Sequence, residues 1–236
     1  MNEEAAREGE GSPVLIWITA LALLAAMVAI FIYVPTEKTE GAVQRIMYFH
    51  IPSAWVSFLA FFVVFLSSIL FLWKKEREWD IYAHASAEVG VLFCTLVLIT
   101  GPIWARPIWG AWWVWDARLT LTLVLWLIYV AYLMLRAQTD AGSMRARYAA
   151  VLGIAGFLDI PLIHFSVLWW RAFHPLPKVI TSEGLGKGMD PAMLATLFIS
   201  LGAFTCLYFA LMGQRVNLEK LRDDIDRLKK DALDSD

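Results

Sequence analysis

The sequence predicts an all-α integral membrane protein with six transmembrane helices, on three observations. The chain of 236 residues is 59% hydrophobic and 18% charged, with a mean hydropathy of +0.60, whereas a soluble domain averages about 45–50% apolar and about 25% charged residues. Six apolar stretches are each about long enough to cross roughly 30 Å of hydrocarbon at about 1.5 Å per residue. The lysines and arginines fall unequally on the two sets of connections that these stretches create.

The first stretch, roughly 14–34, follows Glu3, Glu4, Glu8 and Glu10 against the single Arg7. That is the wrong sign for the n-region of a signal peptide, and the run is longer than a signal h-region, so it is expected to stay as an anchor. The second, 52–72, starts behind His50-Ile51-Pro52. The third, 86–104, overlaps Gly101-Pro102, which leaves its exit the least defined boundary. The fourth, 119–135, is the shortest and uses the Trp-rich run before it as an interfacial lead-in. The fifth, 148–168, carries Asp159 and Pro161, where a kinked helix with a satisfied carboxyl competes with a proton relay or substrate site. The sixth is 191–212. Residues 1–212 thus read as a membrane domain and 213–236 as a C-terminal tail. In the tail Leu218, Leu221, Ile225, Leu228 and Ala232 recur at spacings of three and four, the mark of an amphipathic or coiled-coil helix.

Six spans place the N-tail, the second and fourth loops and the C-tail on one side. That side holds 13 of the 20 lysines and arginines, so both termini are expected in the cytoplasm. The loops near 35–51 and 169–190, and the Trp-rich segment, then face the periplasm. The net charge of −2 gives no electrostatic support for nucleic-acid binding. Cys94 and Cys206 sit in apolar runs, without Cys-x-x-Cys or Cys-x-x-Cys-His, and read as small buried hydrophobes.

Residues 109–120 carry the strongest chemical signal. Trp109, Trp112, Trp113 and Trp115 lie within seven positions and are followed by Asp116 and Arg118. Buried indoles each need a partner for the N–H, which makes such a run an expensive core filler. If the run is helical, Trp109, Trp112, Trp113 and Asp116 share a face, and Gly110 lies between them. The result is an aromatic shelf ending in a carboxylate, suited to a flat, apolar, partly charged ligand. An interfacial aromatic belt is the competing reading, although a belt scatters its rings. Asp116 also suits a helix N-cap or a salt bridge to Arg118.

Two histidines bracket this run, His50 in the first outer loop and His174 in the third, the latter beside Trp169 and Trp170. Neutral imidazole ligates iron, and a haem takes ligands above and below its plane. Arg45, Arg118 and Arg171 can meet propionates by charge-assisted hydrogen bonds. His164, in the fifth stretch, is a third possible ligand or a supporting donor, and His84 lies at the other side of the membrane.

The segment from Trp109 through Asp116-Ala-Arg118-Leu-Thr120 resembles the tryptophan-rich "WWD" signature of haem-handling proteins in cytochrome c biogenesis. Its Asp-Ala-Arg-Leu-Thr continuation is similar to the CcmC branch, since the CcmF and CcsA branches continue with Asp-Pro. Arg45-Ile-Met-Tyr-Phe-His50-Ile-Pro, Pro161-Leu-Ile-His164-Phe-Ser-Val, Trp169-Trp170 with His174, and Asp190-Pro191-Ala192-Met193 resemble further family segments, although the residues around His174 depart from the usual pattern. The resemblance covers most of the chain. It implies six spans, His50 and His174 as axial ligands of a transiently bound b-type haem, and the Trp-rich run as its platform. It also implies delivery of haem to a periplasmic chaperone of the CcmE type, in company with CcmA and CcmB, an ABC-type pair, and the small membrane protein CcmD. The chain has no Walker A pattern, so ATP chemistry is left to a partner, and no enzymatic activity is expected of the chain itself.

Two other function classes stay open on the residues alone. A membrane electron carrier of cytochrome b type would set histidine pairs within spans. A transporter with an aromatic vestibule would show several polar groups at mid-membrane depth, and few are present.

Overall fold

The computed structural model describes residues 13–138, 143–169, 180–181, 184–185 and 189–234. Among the described residues, six helical segments are long and apolar enough to cross a membrane: Pro13–Tyr33, Ala42–Lys74, Arg77–Trp109, Ala117–Ala137, Met144–Val167 and Pro191–Ile225. The elements are α1 (Pro13–Val28), continued as a π-turn Ala29–Tyr33, a 3-10 turn Ala42–Ile46, α2 (Met47–Lys74), α3 (Arg77–Trp109), α4 (Ala117–Gln138), α5 (Ser143–Phe157), α6 (Asp159–Trp169), the antiparallel pair β1 (Ile180–Thr181) and β2 (Gly184–Leu185), and α7 (Pro191–Asp234).

Several boundaries differ from the sequence expectation for identifiable reasons. Helix α3 continues past Pro102 and Pro107 to Trp109, because a proline removes only its own donor and the next turns still close. The fifth span breaks at Leu158, whose N–H donates to Ala155 at 3.2 Å, and Pro161 follows in the first turn of α6. The kink is therefore present. The carboxyl is not fully satisfied, since Asp159 is 7% exposed and its Oδ2 has no hydrogen-bond partner among the described residues. Helix α7 runs without interruption from the last span into the tail; its 44 residues extend about 66 Å at 1.5 Å per residue, twice the hydrocarbon thickness. Leu218, Leu221, Ile225 and Leu228 are exposed along it.

The antiparallel pair α2–α3 is the centre of the bundle, with the most extensive helix contact among the described residues. On one side, Val56, Ala60, Ala85, Val89 and Phe93 pack with Phe204, Tyr208 and Met212 of α7. On the other, Phe61, Val64, Ala87 and Cys94 pack with Leu125, Tyr129, Ala149 and Ile163 of the α4–α6 group. Cys94 is buried and Cys206 half-buried. A Cβ at Gly90 would lie 2.6 Å from a ring carbon of Phe61, so glycine is what permits this approach. Phe61 in turn stacks on Tyr129 at 3.7 Å and 9°. Ser86 Oγ donates to the Ala60 carbonyl at 2.8 Å.

One end of the bundle is held by charge. The Arg136 guanidinium meets both oxygens of Asp80, at 2.5 and 2.9 Å, with both side chains 3% exposed. Arg77 bonds Asp80 as well and forks onto Asp223 of α7 at 2.8 Å to each oxygen. Nearby, His84 Nδ1 lies 3.2 Å from Glu219, and Arg215 pairs with Glu88. Residues of α3, α4 and α7 are thereby tied at the end from which the tail emerges. Breaking a buried pair leaves a charge uncompensated, at a cost of about 3–5 kcal/mol. We expect Arg136→Met to lower stability in detergent by about that amount in an SDS unfolding titration, and Asp80→Asn in the same chain to recover most of the loss.

Candidate functional site

At the opposite end, the chain between α1 and α2 is organised before it reaches His50. The Glu37 carboxylate accepts the backbone N–H of Thr39 at 2.6 Å and of Glu40 at 2.5 Å. These donors hold the Glu37 carboxyl below its usual range. Gly41 has φ +65 and ψ −144, a conformation that glycine alone adopts without strain. Helix α2 begins at Met47, so His50 sits in its first turn rather than in the loop.

His50 is fixed on three sides by α3. Its Nδ1 is 2.8 Å from Thr100 Oγ1. Its ring meets Trp104 edge-on, with centroids 5.8 Å apart and planes at 69°. A Cβ at Gly101 would come within 3.3 Å of His50 Cε1. Trp104 Nε1 donates to Glu40 at 3.0 Å, which docks the loop on the same helix. Arg45 donates through Nη2 to Thr36 at 3.4 Å, and its Nε is buried without a hydrogen-bond partner among the described residues.

The Trp-rich run starts a little over one turn beyond Trp104, and its middle is not helical. Helix α3 ends at Trp109, where Gly110 takes φ +73 and its N–H returns to Arg106 at 3.0 Å. Residues 110–116 form a bridge, and Asp116 caps α4 by accepting the Leu119 N–H at 2.8 Å. The single helical face expected for Trp109, Trp112, Trp113 and Asp116 is therefore not formed; a glycine in the left-handed region and an N-cap carboxylate divide the run into helix end, bridge and helix start. Trp112 and Trp115 are exposed, at 59% and 76%. Trp113 packs against Trp115 at 5.6 Å in an edge-on contact. Trp113 Nε1 and Asp116 Oδ2 are both buried without a hydrogen-bond partner among the described residues. Arg118 is half-buried in the first turn of α4.

Comparison with known proteins bears on this arrangement. Residues 5–231 match the model of the family described as Heme exporter protein C. The chain belongs to that family. It is 36% identical over 224 residues to a Heme exporter protein C of Bradyrhizobium diazoefficiens, covering 93% of this chain and 82% of the relative. It is 32% identical over 219 residues to that of Haemophilus influenzae, covering 93% and 88%. It is also 35% identical over 187 residues to a ccmC-like mitochondrial protein of cytochrome c biosynthesis from Marchantia polymorpha, covering 78% of each.

For a Heme exporter protein C relative, the residues present fit a porphyrin: an orphaned arginine nitrogen and an orphaned indole N–H offer donors at the same end as the oriented imidazole. The structure brings His50 and Trp104 together at the start of α2 and toward the end of α3, with Arg45 in the 3-10 turn that precedes α2. His164 is set apart, exposed on α6 with its ring edge-on to Phe165 at 5.4 Å, while Phe165 stacks on the exposed Trp169 at 5.4 Å. Trp170, Arg171 and His174 lie outside the described residues. Thr100, Gly101 and Glu40 escaped the sequence reading. Their partners are 50 to 64 positions away in sequence, and no local pattern marks such pairs.

Replacing an N-cap Asp by Ala costs about 1 kcal/mol, whereas Asn caps as well as Asp. Amide hydrogen exchange at Leu119 and Thr120 should therefore accelerate about fivefold in Asp116→Ala and stay near wild type in Asp116→Asn.

Proposed function

We propose that the chain binds haem at the periplasmic face of the bacterial inner membrane and passes it to a membrane-anchored chaperone of the CcmE type for c-type cytochrome biogenesis. The coarser role, haem handling in cytochrome c maturation, follows from family membership. The observation that carries the finer reading is the seating of His50 against Thr100, Gly101 and Trp104, at the helix end from which the Trp-rich bridge leaves.

In this reading haem is cargo. His50 and His174 supply axial nitrogens, while His164 supports from α6. The indoles of Trp109, Trp112, Trp113 and Trp115, with Trp169 and Trp170, give the porphyrin apolar faces, and Gly110 lets the bridge turn beneath it. Arg45 and Arg118 orient the propionates, and Asp116 holds the start of α4 and balances Arg118. Because Trp112 and Trp115 are exposed, one edge of the porphyrin stays open to the incoming chaperone. The chain acts as a binding and transfer subunit, with ATP hydrolysis in an ABC-type CcmA and CcmB pair and CcmD as a further partner. The arginine-rich end around Arg77, Arg136 and Arg215 is assigned to the cytoplasm, and the exposed stripe of the tail is a separate appendage there. A cytochrome b-type carrier is less well supported, because His84, at that far end, already faces Glu219 at 3.2 Å.

Purified His50→Ala and His174→Ala should each retain at least tenfold less haem than wild type while inserting normally, as read by the Soret absorbance per protein. Wild-type haem content in both variants would reject the axial assignment.

A further inference from the structure

We infer that Thr100 sets the tautomer of His50, making it a positioning residue that presents Nε2 as the lone-pair nitrogen; this rests on the reading of His50 as an iron ligand. A threonine hydroxyl has one hydrogen and two lone pairs. The Thr100 Oγ1 lies 2.7 Å from the Leu96 carbonyl oxygen, four residues earlier on α3. A carbonyl oxygen only accepts, so the Thr100 hydrogen goes to Leu96. This back-bond is the common way for a threonine to satisfy itself inside an apolar helix.

The same Oγ1 is 2.8 Å from His50 Nδ1. With its hydrogen spent on Leu96, Thr100 offers His50 a lone pair. Two lone pairs facing each other at that distance repel, so Nδ1 carries the proton and donates. Neutral imidazole has one N–H, and the lone pair is therefore on Nε2. The relay runs from His50 Nδ1–H through the Thr100 hydroxyl to the Leu96 carbonyl.

The ring lies close against α3. Gly101 permits this approach, since a Cβ there would come within 3.3 Å of Cε1, and Trp104 stands edge-on to the ring. A ligating histidine with an acceptor on its second nitrogen is a stronger donor to metal, and loss of that acceptor typically costs about 10- to 100-fold in affinity. Thr100 fills that role through the backbone of α3, without a carboxylate. A neutral acceptor keeps the imidazole from becoming a strongly anionic donor, which suits a site that must let its iron go.

The test uses the full-length protein in detergent micelles, titrated with ferric haem. Thr100→Val should weaken haem binding about 10-fold or more, raise the haem midpoint potential and shift the Soret band. Thr100→Ser, which restores the hydroxyl, should return binding to within about twofold of wild type. Thr100→Ala repeats the comparison if the valine variant elutes as an aggregate. Wild-type affinity and potential in both hydroxyl-free variants, with haem lost in His50→Ala, would overturn the role of Thr100 and leave His50 as the ligand. Wild-type affinity in His50→Ala itself would remove the ligand reading and the inference with it.

Discussion

The register between α2 and α3 is the constraint on which the site depends. It is set near mid-bundle, where Gly90 admits Phe61 and where Ser86 bonds the Ala60 carbonyl. In an antiparallel pair, residues whose numbers sum to a constant face each other. Contacts between residues 60 and 90 therefore bring residue 50 opposite residue 100, and that is where His50 meets Thr100 and Gly101. A helix rises about 1.5 Å and turns about 100° per residue, so slipping the pair by a single residue would rotate His50 away from the Thr100 hydroxyl. The polar contact at the rim is thus specified by apolar packing ten residues below it. Phe61 is itself held by its stack on Tyr129, so α4 supports the same register.

The two ends of the bundle do different work. At the end bearing Asp80, Arg136, Arg77 and Asp223 the charges are paired with one another, although Arg136 Nε and Tyr132 Oη stay buried without a hydrogen-bond partner among the described residues. In a low-dielectric setting such a cluster specifies which helices meet more than it adds stability. The other end has no such ion-pair cluster among the described residues, and Arg45 Nε, Trp113 Nε1 and Asp116 Oδ2 are buried there without a hydrogen-bond partner among those residues. Helix α3 joins the two. It carries Asp80 in its first turn and Thr100, Gly101 and Trp104 toward its last.

Much of this was legible in the residues. Six apolar runs gave six helices because a hydrocarbon layer leaves the backbone no other way to satisfy itself at that length. His50, Arg45 and the tryptophans stood out by composition and spacing. The shared face considered for a helical Trp-rich run does not form, because periodicity cannot show that Gly110 turns left-handed, whereas the N-cap role that the position of Asp116 suited is the one it takes. The exit of the third stretch, roughly 86–104, was the least defined boundary because of Gly101-Pro102, and the helix runs on to Trp109 since a proline removes only one donor. Thr100 and Glu40 could not be found at all. Their roles come from tertiary register, and a threonine in an apolar run is ordinarily satisfied by its own helix. Here it is satisfied that way and accepts a histidine as well.

The bridge from Gly110 to Asp116 is tethered at both ends, by the Gly110 N–H on Arg106 and by the Asp116 cap on α4. A short tethered bridge loses little conformational entropy when a ligand arrives, because most of that cost is already met by folding. Trp112 and Trp115 are held out from it, and an amphipathic ring is comfortable with one edge wet. A buried donor without an acceptor costs roughly 1–3 kcal/mol, and a carboxylate-bearing planar ligand supplies that acceptor. Affinity then comes from a few directional contacts and an open aromatic face rather than from enclosure. Enclosure would give a slow off-rate, whereas the handover proposed above calls for a grip that can be released. An exposed bridge beside the well-oriented His50 suits that proposal better than the same residues folded into a closed pocket.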